Sequence, residues 1–209
     1  MFIQILIDNN KSWMMDHVQE IIKKLIKLNH KVNLVHDSSK IQKGDILFLL
    51  SCENLFKSLE LNKHNIVIHA SDLPKGKGFS PMTWQIIEGK NEIPLTLFEA
   101  NSKIDSGKIY FKEKICLNGD ELIDEIRDLM SDKIYKLIVK FIKNIDCLKP
   151  TNQNEEESFY RRRNPSDSFI DINKTIKEQF NLLRVVDNER YPAFFIKDNT
   201  KYYIKIYKK

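Results

Sequence analysis

Two residues 36 positions apart, His69 and Asp105, carry the side chains best suited to acid–base chemistry in this sequence. His69 closes the apolar run Ile66-Val67-Ile68 and is followed by Ala70-Ser71-Asp72-Leu73-Pro74-Lys75-Gly76-Lys77-Gly78. A histidine at the C-terminal end of a buried parallel strand sits where ligands bind in open α/β sheets. Glycine is scarce, with six in the chain, and two of them lie in the loop after His69. There they allow the backbone to approach a bound molecule closely. Asp105-Ser106-Gly107 puts a carboxylate in a turn ahead of a strand. Brought together by the fold, such a pair makes a general base and the group that orients it. From residue chemistry alone, the same two positions read equally well as a structural histidine and a turn aspartate.

Other chemistries lack their residues. The turn after the first strand, Asp8-Asn9-Asn10-Lys11-Ser12, has neither GxGxxG nor GxxxxGK[ST], which lowers dinucleotide and P-loop readings. HExxH and GxSxG are absent as well. Cys52, Cys116 and Cys147 are far apart and form no CxxC, so no disulfide framework and no metal site is expected. A reducing cytoplasm is the expected compartment. The net charge of +5, from 34 Lys+Arg against 29 Asp+Glu, permits an anionic partner without demanding one. Arg161-Arg162-Arg163 and the terminal lysines supply much of it, and solvated surface is the default reading of such runs. No apolar run is long enough for a transmembrane helix. The segment Met1 to Asp8 reads as a first strand rather than a signal peptide.

The elements that must position His69 and Asp105 alternate along the first half. Phe2–Ile7, Val32–Val35, Asp45–Leu50 and Ile66–His69 are short apolar runs of strand length. Ser12 is placed to cap a helix from Trp13 to Leu28, whose Met14, Val18, Ile21, Ile22 and Leu25 recur at helical spacing. A short helix is expected over Glu53–Leu59 and another around Met82–Glu88. Pro94–Glu99 and Lys108–Leu117 read as antiparallel strands. Asn118 and Glu121 resemble a capping box before a long helix, which Lys149-Pro150 ends. This rhythm predicts an α/β fold with a mostly parallel sheet over residues 1–148. Residues 149–209 read as a small α+β accessory region, with a polar linker over Thr151–Glu157, a helix near Thr175–Val186 and two aromatic strands.

The segment Val67 to Gly107 resembles the formyltransferases that use 10-formyltetrahydrofolate. His69-Ala70-Ser71-Asp72-Leu73-Pro74-Lys75-Gly76-Lys77-Gly78 is similar to that family's loop, and Asp105-Ser106-Gly107 to its Asp-x-Gly turn at the same separation. Ser80-Pro81-Met82-Thr83-Trp84-Gln85 resembles the helix after the loop, and Pro94-Leu95-Thr96-Leu97-Phe98 the strand beyond it. Arg161-Arg162-Arg163-Asn164-Pro165-Ser166-Asp167-Ser168 is similar to a stretch near the C-terminus of sugar N-formyltransferases. With Asp8-Asn9 and Ser12-Trp13, it points to the branch acting on nucleotide-linked 4-amino-4,6-dideoxy sugars.

The resemblance implies a Rossmann-like formyltransferase core, N10-formyltetrahydrofolate as co-substrate, and a nucleotide-linked amino sugar as the amine. His69 and Asp105 would be catalytic, His69 as general base through one ring nitrogen and Asp105 accepting a hydrogen bond from the other. The folate would be held near Leu49, Leu50, Ser51, Cys52, Leu97 and Asp105, and the sugar nucleotide near Asn9, Trp13, Ser71, Lys75, Gly76, Lys77 and Gly78. Neither nucleic acid nor membrane is an expected partner, and the C-terminal region is a place for two copies to pair. The sequence departs from the family at Val67, where the family has an asparagine two residues before the histidine. The developing oxyanion would then be met by a backbone N–H, by Ser71 or Thr83, or by protonated His69. Glycinamide ribonucleotide or methionyl-tRNA formyltransferase activity, or a non-catalytic binding homologue, are the competing readings.

Overall fold

The short apolar runs of the first half do form a sheet. A computed structural model describes residues 1–209. Strands β1 (Phe2–Leu6), β2 (Lys31–Val35), β3 (Gly44–Leu49), β4 (Asn62–His69), β6 (Glu92–Glu99) and β7 (Ile109–Cys116) make one sheet in the order β2-β1-β3-β4-β6-β7. The pairings among β1 to β4 are parallel, and those of β6 with β4 and β7 are antiparallel. A two-residue strand β5 (Lys77–Gly78) lies in the loop after β4 and pairs with β8 (Phe159–Tyr160) from the tail.

The two faces of the sheet are covered differently. Helices α1 (Met15–Lys27), α2 (Pro81–Ile87) and α3 (Ile123–Asn144) pack on one face, where Ile3, Ile5, Ile46, Phe48 and Ile66 join Val18, Ile21 and Phe141 in the main core. Alternate residues Leu6, Leu47 and Leu49 point to the other face, as the two-residue period of a strand requires. There they meet Val35 at the end of β2 and Ile41 and Phe56 from loops rather than a helix. The interior of β3 is thus buried on both sides, as its continuous apolar run predicts. No helix is long and apolar enough to cross a membrane.

Several local expectations are corrected. No helix forms over Glu53–Leu59, because the Asp8 carboxylate takes the N–H groups of Glu53 and Asn54, each at 2.8 Å, and fixes a turn. A single tight turn over Leu59–Leu61 follows. Helix α1 begins at Met15 rather than Trp13, since Ser12 accepts from the Met14 N–H and donates to Ser51 instead of capping the helix. Glu121 accepts from Asn118 and Gly119 but does not open α3, whose first turn is closed by Glu125 reaching the Leu122 N–H. In the tail, the helix near Thr175–Val186 contracts to α4 (Phe180–Leu183). Side-chain bonds of Thr175 with Glu178 and of Gln179 with Asp171 hold turns there instead.

The tail ends in a hairpin of β9 (Ala193–Lys197) and β10 (Thr200–Ile204), with Tyr202, Tyr203 and Ile196 exposed. It is fastened to the core by Arg184, whose guanidinium is 1% exposed. That group donates to the Glu121 carboxylate at 3.0 Å, the Glu121 carbonyl at 3.1 Å and Asn91 at 2.9 Å. Removing one member of a buried pair strands the other, at a cost of about 3–5 kcal/mol. Arg184→Met is therefore expected to lower the unfolding free energy by about 3 kcal/mol, read from the urea midpoint. A loss below about 1 kcal/mol would show that the backbone donors on Glu121 suffice.

Candidate active site

His69 is the last residue of β4, at the C-terminal edge of the parallel strands. Its Nε2 lies 2.9 Å from the Gly76 carbonyl oxygen. A carbonyl only accepts, so Nε2 carries the hydrogen and the neutral ring leaves Nδ1 as the proton acceptor. Nδ1 makes no hydrogen bond within the chain. The side chain is 11% exposed.

Asp105 is 12% exposed and sits at φ 47°, in the left-handed region that few residues other than glycine adopt. Its Oδ2 accepts the Gly78 N–H at 2.9 Å and lies 3.8 Å from His69 Nε2. This corrects the expected arrangement. Asp105 faces the same ring nitrogen as Gly76 rather than the other one, and the separation is too long for a hydrogen bond. Its contribution to His69 in this geometry is charge rather than a hydrogen bond. Gly107 permits the turn, since a Cβ there would lie 1.5 Å from the Glu99 carbonyl oxygen.

Two cavities meet at His69. The first encloses about 860 Å³ including its mouth and lies on the helix-free side, between Leu49, Phe56, Val67, Phe98, Ile104 and Asp105. Its lining is apolar with a few polar groups, the character of a small-molecule site. Asn101 and Lys103 also line it, and neither the Asn101 amide nitrogen nor the Lys103 ammonium has a partner within the chain. The second cavity encloses about 1880 Å³ including its mouth, between the α1 entry, α2, α3 and the tail. Ser51, Cys52, Glu53, Ile68, Gly78 and Phe79 line both. Burial, reinforced by the charge of Asp8, pushes the Cys52 thiol up to about 12, so it stays protonated and is no nucleophile.

Cations dominate the second cavity. Lys11, Arg127, Arg162, Arg163 and Arg190 line it against the carboxylates of Glu53 and Asp187. Glu53 is bonded to Arg162 at 2.7 Å and to Asn9 at 2.6 Å, and these bonds hold its carboxyl below the usual range. Asp187 takes Arg127 at 2.8 Å and Arg190 at 3.3 Å. Lys11 and Arg163 have no carboxylate partner. Arg163 is 8% exposed, with its Nε buried and unpartnered. Burial pushes its pKa below the ordinary arginine value, while the group stays charged.

The expected site residues distribute unevenly. Leu49 lines the first cavity, Leu50, Asn9 and Trp13 the second, and Ser51, Cys52 and Gly78 both. Leu97 does not line either, because it points into the main core at 0% exposure. Ser71 is 1% exposed and outside both cavities, with an unpartnered hydroxyl, whereas Thr83 lines the second. Lys75 is exposed and away from both. Gly76 reaches the site only through its carbonyl on His69. Lys77 is fully buried on Ser106 and Glu157 and faces neither cavity. Arg161 turns outward onto Trp84 and Asp167, leaving Arg162 and Arg163 on the cavity. Val67 lines the first cavity and brings no donor. Sequence reasoning did not single out Asn101 and Lys103 within the Leu97–Ile104 stretch, and it missed Arg127, Asp187, Arg190 and Tyr191. Only the turn residues Asn101-Ser102 at a strand end carried a local signal.

Comparisons with known proteins bear on the fold and the family resemblance. The methionyl-tRNA formyltransferase of Ehrlichia ruminantium (strain Gardel) is 28% identical over 144 residues, covering 68% of this chain and 46% of that protein. The chain thus spans about half the length of such curated relatives. Among solved structures, a methionyl-tRNA formyltransferase from Clostridium thermocellum superposes with a TM-score of 0.79 at 22% identity, covering 96% of this chain and 90% of that one. A 4-N formyltransferase from Francisella tularensis gives 0.71 at 21% identity, covering 98% and 96%. The Rossmann-like α/β fold with a mostly parallel sheet is therefore shared with these proteins. Residues 49–142, which hold His69, the glycine loop and Asp105, match the family model described as formyl transferase.

Proposed function

We propose that this chain transfers a formyl group from N10-formyltetrahydrofolate to the primary amine of a nucleotide-linked amino sugar. The observation that carries the reading is the meeting of two cavities at His69, whose Nδ1 is left free as a base. The first cavity fits a flat heterocycle, with apolar walls from Val67, Phe98 and Ile104 and free donors at Asn101 and Lys103. The second fits an anionic acceptor. A buried arginine without a carboxylate, such as Arg163, is costly unless an anion reaches it, and planar guanidinium groups suit phosphate oxygens. The stretch Arg161 to Ser168 supports a sugar nucleotide as that acceptor. An aminoacyl-tRNA amine is the second reading, favoured by the activity named for the Ehrlichia relative.

The folate supplies a formyl carbon on a nitrogen that can leave. The chain's part is proton transfer and charge stabilisation. Once the acceptor nitrogen bonds to the formyl carbon, His69 Nδ1 takes the proton that nitrogen sheds. The imidazolium so formed faces the Asp105 carboxylate 3.8 Å away. Its proton then goes to the departing folate nitrogen, and His69 returns neutral. Negative charge developing on the formyl oxygen is met by the imidazolium and by Asn101, the free amide in the first cavity, because Val67 supplies no donor. A preorganised donor of this kind contributes about 3 kcal/mol.

Three outcomes test the reading, with formyl transfer followed by product mass on a panel of nucleotide-linked amino sugars and methionyl-tRNA. His69→Ala should slow transfer by at least about 10²-fold while the folate still binds. Activity within a few-fold of the parent would remove His69 as the base. Asp105→Asn should cost about 10-fold or more in kcat with acceptor KM little changed, and a parental kcat would leave Asp105 only a turn residue. Arg163→Gln should raise the sugar-nucleotide KM at least about tenfold with folate affinity retained. Transfer to methionyl-tRNA alone would replace the sugar reading by the second.

A further inference from the structure

Lys77 is the one lysine of the chain with no exposed surface, and the proposed mechanism gives it no task. Its neighbours on either side are the two contacts that define the site. The Gly76 carbonyl accepts from His69 Nε2, and the Gly78 N–H donates to the Asp105 carboxylate. The Lys77 side chain runs the other way. Its ammonium donates to Ser106 Oγ at 2.9 Å and to Glu157 Oε1 at 2.6 Å, with the Phe159 ring 5.9 Å off. Ser106 in turn donates to the Ile104 carbonyl at 2.7 Å. Gln153 donates to the carbonyls of Asp105 and Gly107 at 3.1 and 2.8 Å.

The Asp105 turn is therefore held on three sides, by Gly78 in front, Lys77 behind and Gln153 below. Lys77 is buried in this pair while the Glu157 side chain is 51% exposed, so the pair adds little net stability and its consequence is geometric. We infer that Lys77, locked by Glu157 of the tail, is a positioning residue that fixes Asp105 against His69. Residues 153–160 are then part of the active site although none of them lines the cavity next to Asp105. The inference rests on the formyl-transfer reading for its kinetic consequence, and on the hydrogen bonds alone for its structural one.

The test is the double variant Lys77→Met/Glu157→Leu in the full chain. It removes both charges together, leaving no stranded ion, and should fold with a melting temperature near the parent. Its kcat should fall about 10- to 100-fold, the range expected when a catalytic group is misplaced by about 1 Å, with KM for folate and acceptor within about twofold. Amide hydrogen exchange in residues 76–78 and 104–107 should accelerate at least about tenfold, corresponding to the loss of about one stabilising bond. Glu157→Asp with Lys77 retained, which keeps the carboxylate, should lose less kcat than the double variant. A folded double variant with parental kcat and parental exchange overturns the positioning role. If the parent chain itself transfers no formyl group to any acceptor, the formyl-transfer reading falls, and the exchange comparison alone then decides the clamp: faster exchange upholds it and unchanged exchange sinks it.

Discussion

The backbone from Gly76 to Gly78 is the constraint on which the site depends. One carbonyl fixes the tautomer of His69, and one amide two residues later holds the carboxylate of Asp105. Neither side chain touches the other within hydrogen-bond distance, so their relation is set by three residues of main chain. Two of these are glycines at φ 72° and 92°, where a Cβ would run into Ser71, Tyr160 or the Tyr160 carbonyl. The loop's glycines matter here for this close passage under Tyr160 as much as for room around a ligand.

The sheet supplies the rest by asymmetry. Helices cover one face completely, while loops cover the other, and the helix-free side leaves space beside β3 and β4 at the edge where His69 emerges. The change from parallel to antiparallel pairing at β6 brings the chain back along the same edge. Thr96 then pairs directly with His69, and Asp105 beyond the strand's end lies 3.8 Å from its ring. Charge is partitioned too. The first cavity holds one lysine, and the second gathers arginines from α3 and the tail.

Much of this was legible in the sequence because it is local. An apolar run ending in His69, a Leu-Pro and two-glycine loop, and an Asp-Ser-Gly turn are contiguous signals, and the strand rhythm follows from short apolar runs. What was not legible depends on distant partners. Lys77 looks like a cation for a phosphate until Glu157, 80 residues on, is seen to bury it. Arg127, Asp187 and Arg190 share no motif, and their convergence follows from the docking of the tail. The helix expected over Glu53–Leu59 gave way to one carboxylate, Asp8, in a different loop. Periodicity reports which face of a segment is apolar, not which side chain elsewhere will claim its amides.

The pairing of β5 with β8 also has a temporal side. Gly76 and Ser158, which bond across it, are 82 residues apart in the chain. On a ribosome, every strand of the main sheet has emerged before Ser158 does, so the sheet can assemble while the segment that steadies the His69 loop is still in the exit tunnel. Closing so long a loop early costs only a few kcal/mol more than closing a short one, but the closing strand must first exist. The nascent chain can thus hold a formed sheet before the His69 loop meets the segment that braces it.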